Sequence, residues 1–142
     1  MGARDHIFVY GTLRKAVARP MHDVLARHCA YLGAGAIAGR LYEVGGYPGA
    51  VAATGVTGTI AGEVYTMTDA ALVLPLLDAY EECSAAYPEP HEYRRRQLPV
   101  RLAGGGVLTA WTYLYNRPVT GLQRIRSGDY VEHLRRPKPR TR

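Results

Sequence analysis

Glu81 and Glu82 stand side by side after the apolar, helix-spaced stretch Leu77-Asp78-Ala79-Tyr80. About seventy residues earlier, the apolar run Ile7-Phe8-Val9-Tyr10 breaks at Gly11 and continues as Thr12-Leu13-Arg14. A carboxylate at a helix C-terminus sits where the helix dipole disfavours negative charge. Held there next to Tyr80 and partly out of water, it would have a raised pKa, as a general base working near neutral pH requires. Gly11 can take dihedrals that other residues avoid, and consecutive N–H groups in such a loop can converge on an anion or on a developing oxyanion. Loop and acid together suit work on a small amide. Taken singly, each also has a plain structural reading: a turn after a strand, and two solvated surface acids.

Tyr87, Tyr93, Trp111, Tyr113 and Tyr115 add aromatic surface. Tyr113, Tyr115 and Trp111 fall on one side of a strand, either as a core face or as a wall whose hydroxyls hold a polar substrate. Arg94-Arg95-Arg96 alternates between strand faces, which places one of the three inward in a salt bridge and leaves the others solvated. The five histidines show no metal-ligand spacing, and neither a metal nor a cofactor is expected. The patterns GxxxxGK[ST], GxGxxG and GxSxG are absent. Cys29 and Cys83 have no CxxC spacing and no neighbouring histidine cluster, so both read as free thiols rather than a disulfide.

The elements that must bring loop and acid together are mostly strands. Ile7 to Tyr10 suits a buried strand, and Met21 to Cys29 has helical spacing. From Ala30 to Met67 the chain reads as successive strands: 36–44, a Gly45-Gly46-Tyr47-Pro48-Gly49 turn, 50–53, a turn over 54–58, and 59–67. Thr68 is the expected N-cap of a helix carrying Leu72, Val73, Leu76 and Leu77, with Pro75 expected to kink or restart it. Two long strands, 93–102 and 107–115, flank Gly104-Gly105-Gly106, and a short helix starts near Gly128-Asp129-Tyr130. Many strands with few helices predict an α+β fold, a compact, strongly curved, mainly antiparallel or mixed sheet with flanking short helices. Glycines inside the strands fit the bends or bulges of a closing barrel.

At 142 residues the chain is one domain, read as 1–134 with a basic tail over 135–142. The net charge is +6, but five of the basic residues lie from Arg135 onward without an acid. Set those aside and the body has thirteen basic residues against twelve acidic ones. No nucleic-acid partner is expected on that basis, and the tail reads as a solvated terminus. No apolar run approaches the ~18–20 residues of a membrane helix, and Met1 to His6 leaves no room for a secretory core. A cytoplasmic protein with no membrane partner is expected. The oligomeric state is left open.

These pieces, in order, resemble the γ-glutamylcyclotransferase-like superfamily, including its AIG2-like and γ-glutamylamine cyclotransferase branches. The resemblance is carried by Phe8-Val9-Tyr10-Gly11-Thr12-Leu13-Arg14, Gly39-Arg40-Leu41-Tyr42 with Tyr47-Pro48, Gly62-Glu63-Val64-Tyr65, Leu77-Asp78-Ala79-Tyr80-Glu81, Tyr93-Arg94-Arg95 with Ala110-Trp111-Thr112-Tyr113, and Ser127-Gly128-Asp129-Tyr130. It spans roughly Ile7 to Tyr130. It implies a mixed barrel with a cavity at one end, Glu81 as the catalytic acid/base, and Tyr10, Gly11, Thr12 and Leu13 around the glutamyl group. Tyr93 would border the cavity, with Tyr113 or Tyr115 as a third wall. The family often has glycine directly after the catalytic glutamate. Here that position is Glu82, which keeps Glu82 as a second candidate.

The implied reaction is intramolecular, on a small-molecule γ-glutamyl amine or amide, and gives 5-oxoproline and a free amine. The alternative is a non-catalytic member of the same fold that binds a small amino-acid-like ligand or a protein partner.

Overall fold

The computed structural model describes residues 5–11, 22–53, 58–80 and 91–135. The elements are β1 (His6–Val9), α1 (His22–His28), β2 (Cys29–Glu43), β3 (Pro48–Ala52), β4 (Thr59–Met67), α2 (Ala70–Tyr80), β5 (Tyr93–Leu102), β6 (Val107–Tyr115), β7 (Gln123–Ile125) and α3 (Tyr130–Arg135). Neighbouring strands run β3-β2-β4-β1-β6-β5, and a further pairing of β2 with β5 closes β2, β4, β1, β6 and β5 into a five-stranded barrel. Every pairing is antiparallel except β1 with β6. The α+β, mainly antiparallel barrel expected from the sequence is the fold observed.

β2 explains much of the shape. Its first part, from Cys29 to Ala38, pairs with β4, and Gly35 and Ala36 close the barrel on β5. Its last part, Gly39 to Glu43, leaves the barrel and pairs with β3 on one edge and with β7 on the other. The register shift between Tyr31 and Gly33 is a bulge of the kind the strand glycines suggest. Gly62 serves another purpose. A Cβ there would lie 2.3 Å from the Val9 carbonyl oxygen and 2.6 Å from the Phe8 ring, so only glycine lets β1 and β4 approach this closely.

Period-two alternation sends side chains into two cores. Phe8, Ile37, Ile60, Val64, Val100, Ala110 and Leu114, drawn from all five barrel strands, form the barrel interior together with Tyr10, Leu41, Ala50, Ile125 and Tyr130. Ile7, Val9, Tyr65, Met67, Tyr93 and Tyr113 point the other way and are covered by Leu25 of α1 and Val73 and Leu77 of α2. Helices α1 and α2 therefore pack on the outer face of the barrel, over β1 and its neighbours.

Several local expectations change. Asp69, not Thr68, caps α2: its carboxylate accepts from Leu72 N at 3.2 Å, while the Thr68 hydroxyl donates to His28 O at 2.8 Å and ties the end of β4 to α1. α2 runs through Pro75 without restarting. Its buried stripe is Val73 and Leu77, and Leu72 and Leu76 face outward at 44% and 42% exposure. The short strand β7 was not expected. Arg135, the first residue of the expected tail, belongs to α3, and residues 136–142 lie outside the described residues.

Candidate active site

Tyr10 follows the last residue of β1, and its side chain returns to the barrel interior. Its hydroxyl donates to Tyr113 O at 2.5 Å and accepts from Ala50 N at 3.2 Å. One buried phenol thus ties the chain at the end of β1 to the middle of β3 and to β6 near its end. Gly11 comes next, and a Cβ there would lie 2.6 Å from Pro48 Cγ. Gly11 itself therefore lies close against the first residue of β3. Pro48 in turn accepts, through its carbonyl, from the Tyr93 hydroxyl at 2.5 Å. Gly49 lets the Tyr115 ring approach: a Cβ at Gly49 would lie 2.9 Å from it.

A tyrosine wall follows from this arrangement. Tyr93 and Tyr115 are register partners on β5 and β6, with rings edge to face at 5.6 Å. Tyr47 adds a third ring at 6.3 Å from Tyr93. The Tyr47 hydroxyl donates to Glu92 at 2.5 Å. That bond, with some help from burial and the Glu92 charge, pushes the Tyr47 pKa up to about 12. It remains a neutral donor at any physiological pH.

The C-terminal part of α2 reaches the same sheet face. Asp78 accepts from Arg95 through two bonds, at 2.9 and 3.1 Å, and from the Tyr113 hydroxyl at 2.6 Å. Arg95 also lies over the Trp111 ring at 4.4 Å. Of the three consecutive arginines, Arg94 and Arg96 are exposed and Arg95 is half-buried and paired, as alternation predicts.

Tyr10, Gly11, Tyr93, Tyr113 and Tyr115 are therefore gathered within one set of contacts around Pro48 and the paired ends of β5 and β6. Thr12, Leu13, Glu81 and Glu82 lie outside the described residues. Sequence reasoning did not single out Asp78, Tyr47, Pro48 or Glu92 as site residues. The signal for Asp78 was present: an acid in the last turn of a helix that has no basic residue in that turn. Among the described residues, no group of three or more His, Cys, Asp or Glu side chains is placed to hold a metal ion. A separate cleft of about 420 Å³, lined by Gln123, Arg124, Ile125, Arg126, Ser127 and His133, shares no residue with this site.

A five-stranded, mainly antiparallel barrel with α1 and α2 on its outer face, and Gly11 after β1 set against a tyrosine-lined strand end, is the architecture in which the class of protein is to be sought. The chain belongs to the gamma-glutamyl cyclotransferase, AIG2-like family, which it matches over residues 7–132. It is 35% identical over 127 residues to the gamma-glutamylcyclotransferase family protein YtfP of Escherichia coli K12, covering 89% of this chain and 96% of YtfP. The crystal structure of an AIG2-like protein from Mus musculus is similar with a TM-score of 0.69 and 26% identity, over 99% of both chains. That of YkqA from Bacillus subtilis is similar with a TM-score of 0.70 and 29% identity, over 92% of this chain and 41% of the longer YkqA chain. No described helix is long and apolar enough to cross a membrane.

Proposed function

We propose that the protein cyclises the γ-glutamyl group of a γ-glutamyl amine or amide to 5-oxoproline, with Glu81 as general acid and base. The observation that carries this reading is the family match over residues 7–132, which extends from β1 into α3. The convergence of Tyr10, Gly11, Tyr93, Tyr113 and Tyr115 supports it. Domain 1–134 would carry the activity, and the tail would take no part.

In the proposed step the substrate's α-ammonium gives a proton to Glu81. The freed amine attacks the γ-carbonyl carbon of the same molecule and closes a five-membered ring. The bond from that carbon to the leaving nitrogen then breaks, and that nitrogen takes the proton back from Glu81. The products are 5-oxoproline and a free amine, with no net water or redox change. Attacking and leaving groups share one molecule, so the protein mainly selects the folded conformer and shields it from water. Backbone N–H groups from Gly11 to Leu13 would hold either the substrate α-carboxylate or the developing oxyanion. The tyrosine wall of Tyr93 and Tyr115 would border the glutamyl head.

The test is 5-oxoproline release, followed by mass spectrometry, from a panel of γ-glutamyl amines and amino acids. Glu81→Gln should lower the rate by about 10²–10⁴-fold, the usual worth of general acid–base help. Glu82→Gln should stay near wild type. An undiminished rate in Glu81→Gln would remove Glu81 from the role, and a loss confined to Glu82→Gln would move the role to Glu82. A wild-type protein inactive across the panel would favour a binding protein of the same fold.

A further inference from the structure

The last turn of α2 holds an acid where the helix supplies nothing to offset it. Its last turn contains no basic residue, and a carboxylate there opposes the helix dipole. Asp78 is nevertheless held from three directions, by the two Arg95 nitrogens at 2.9 and 3.1 Å and by the Tyr113 hydroxyl at 2.6 Å. Arg95 and Tyr113 are themselves register partners across β5 and β6, so the carboxylate rests on a platform two strands wide. The Trp111 ring fixes the guanidinium at 4.4 Å. The ion pair is about four-fifths buried on the Asp78 side and three-quarters on the Arg95 side, with exposures of 20% and 24%. Such a bidentate, shielded pair constrains geometry far more than a surface ion pair does.

We propose that Asp78 is a positioning residue. Clamped by Arg95 and Tyr113, it locks the last turn of α2 onto the β5–β6 pair and so fixes the point from which the chain delivers Glu81. This inference rests on the role given to Glu81 above. Glu81 is three residues beyond Asp78, so its Cα lies within about 11 Å of the Asp78 Cα whatever the local conformation. A fixed origin at that distance matters, because a misplacement of about 1 Å can cost on the order of 10²-fold in rate. Asp78 itself touches no reacting atom in this scheme.

The experiment compares wild type with Asp78→Asn, Arg95→Lys and Tyr113→Phe. It measures kcat and KM for 5-oxoproline release, thermal unfolding, and amide exchange over residues 74–80. Asp78→Asn should lower kcat by about 10- to 100-fold, with KM within about threefold of wild type. Arg95→Lys keeps the charge but loses the planar fork, and it should fall with Asp78→Asn. Tyr113→Phe removes the hydroxyl bond and leaves the Arg95 pair, and it should fall between. In all three variants the 74–80 amides should exchange faster while those of β4 keep wild-type rates. A wild-type kcat in both Asp78→Asn and Arg95→Lys overturns the proposal, as does a KM change that matches the kcat loss. Should Asp78→Asn fail to fold, Arg95→Lys and Tyr113→Phe carry the same comparison. Should wild type release no 5-oxoproline from any substrate, the reading of Glu81 fails by itself. Exchange over 74–80 then decides the clamp: faster exchange supports it, and unchanged exchange overturns it.

Discussion

At the scale of single residues, the family resemblance leads one to expect Tyr10 in a substrate loop, and the structure gives its hydroxyl a demanding job inside the protein. It takes a proton donor, Ala50 N, and supplies one to Tyr113 O, at a position only 6% exposed. Removing the hydroxyl would take one partner from each of these backbone groups in a place water reaches poorly. Tyr10→Phe should therefore cost about 1–3 kcal/mol, the penalty for stranding buried polar groups rather than the smaller net worth of one hydrogen bond. Urea unfolding checks this, and a midpoint equal to wild type would show that water or a neighbour takes the hydroxyl's place. No pattern in the sequence announces such a role. Both bonds join it to backbone atoms, 40 and 103 residues away, and backbone partners leave no trace in residue identity. Arg95 was more legible. In an alternating strand Arg95 faces opposite to Arg94 and Arg96, so the packed side takes either the one or the pair, and the need to neutralise a half-buried guanidinium implied an acid partner.

At the scale of elements, strands β4, β5 and β6 match the ranges read from the sequence. Alternation, β-branched and aromatic content and the triple-glycine turn all agreed there. Strand β7, Gln123-Arg124-Ile125, carries no sequence signal because three residues are too few to show alternation. It exists only because Leu41 to Glu43 offers it an open edge. Helix α2 shows a different limit. Leu72, Val73, Leu76 and Leu77 are all apolar, so helical spacing identifies a helix without choosing which of two adjacent stripes faces the barrel. Packing chooses Val73 and Leu77, each 0% exposed, over Leu72 and Leu76. The contrast is directly testable. Leu77→Ala should destabilise by about 2–5 kcal/mol, through lost burial plus the cavity left behind. Leu76→Ala, one residue away and chemically identical, should stay within about 0.5 kcal/mol of wild type. Equal losses in the two variants, measured by denaturant unfolding, would mean that the outer leucine is covered as well.

At the scale of the whole molecule, the barrel depends on one thin seam. β2 meets β4 along most of its barrel portion, and β5 meets β6 along its length, but β2 meets β5 only through Gly35 with Leu102 and Ala36 with Arg101. The Ala103 amide, donating to Ala34 O at 2.9 Å, extends that contact by one bond. Closure was legible in the sequence only as an expectation of strong curvature. Which strands close, and how few residues do it, depends on pairing between segments about 65 residues apart, which no local pattern encodes. Gly35 is the sensitive point. A Cβ there would lie 2.9 Å from Val100 Cγ1, 3.1 Å from Arg101 O and 3.3 Å from Val64 Cγ2. A branched side chain would press on both walls of the interior where the sheet is least able to yield without parting. Gly35→Val should cost about 1–3 kcal/mol as an overpacked core site. The loss should also be uneven, because the seam can open while the β5–β6 and β2–β4 ladders persist. The Ala103 amide should then exchange much faster than amides in the middle of β6, beyond what the global loss explains. Uniform acceleration across the sheet would instead mean that the barrel opens only as a unit, with β2–β5 closure as firmly coupled to the fold as its longest ladders.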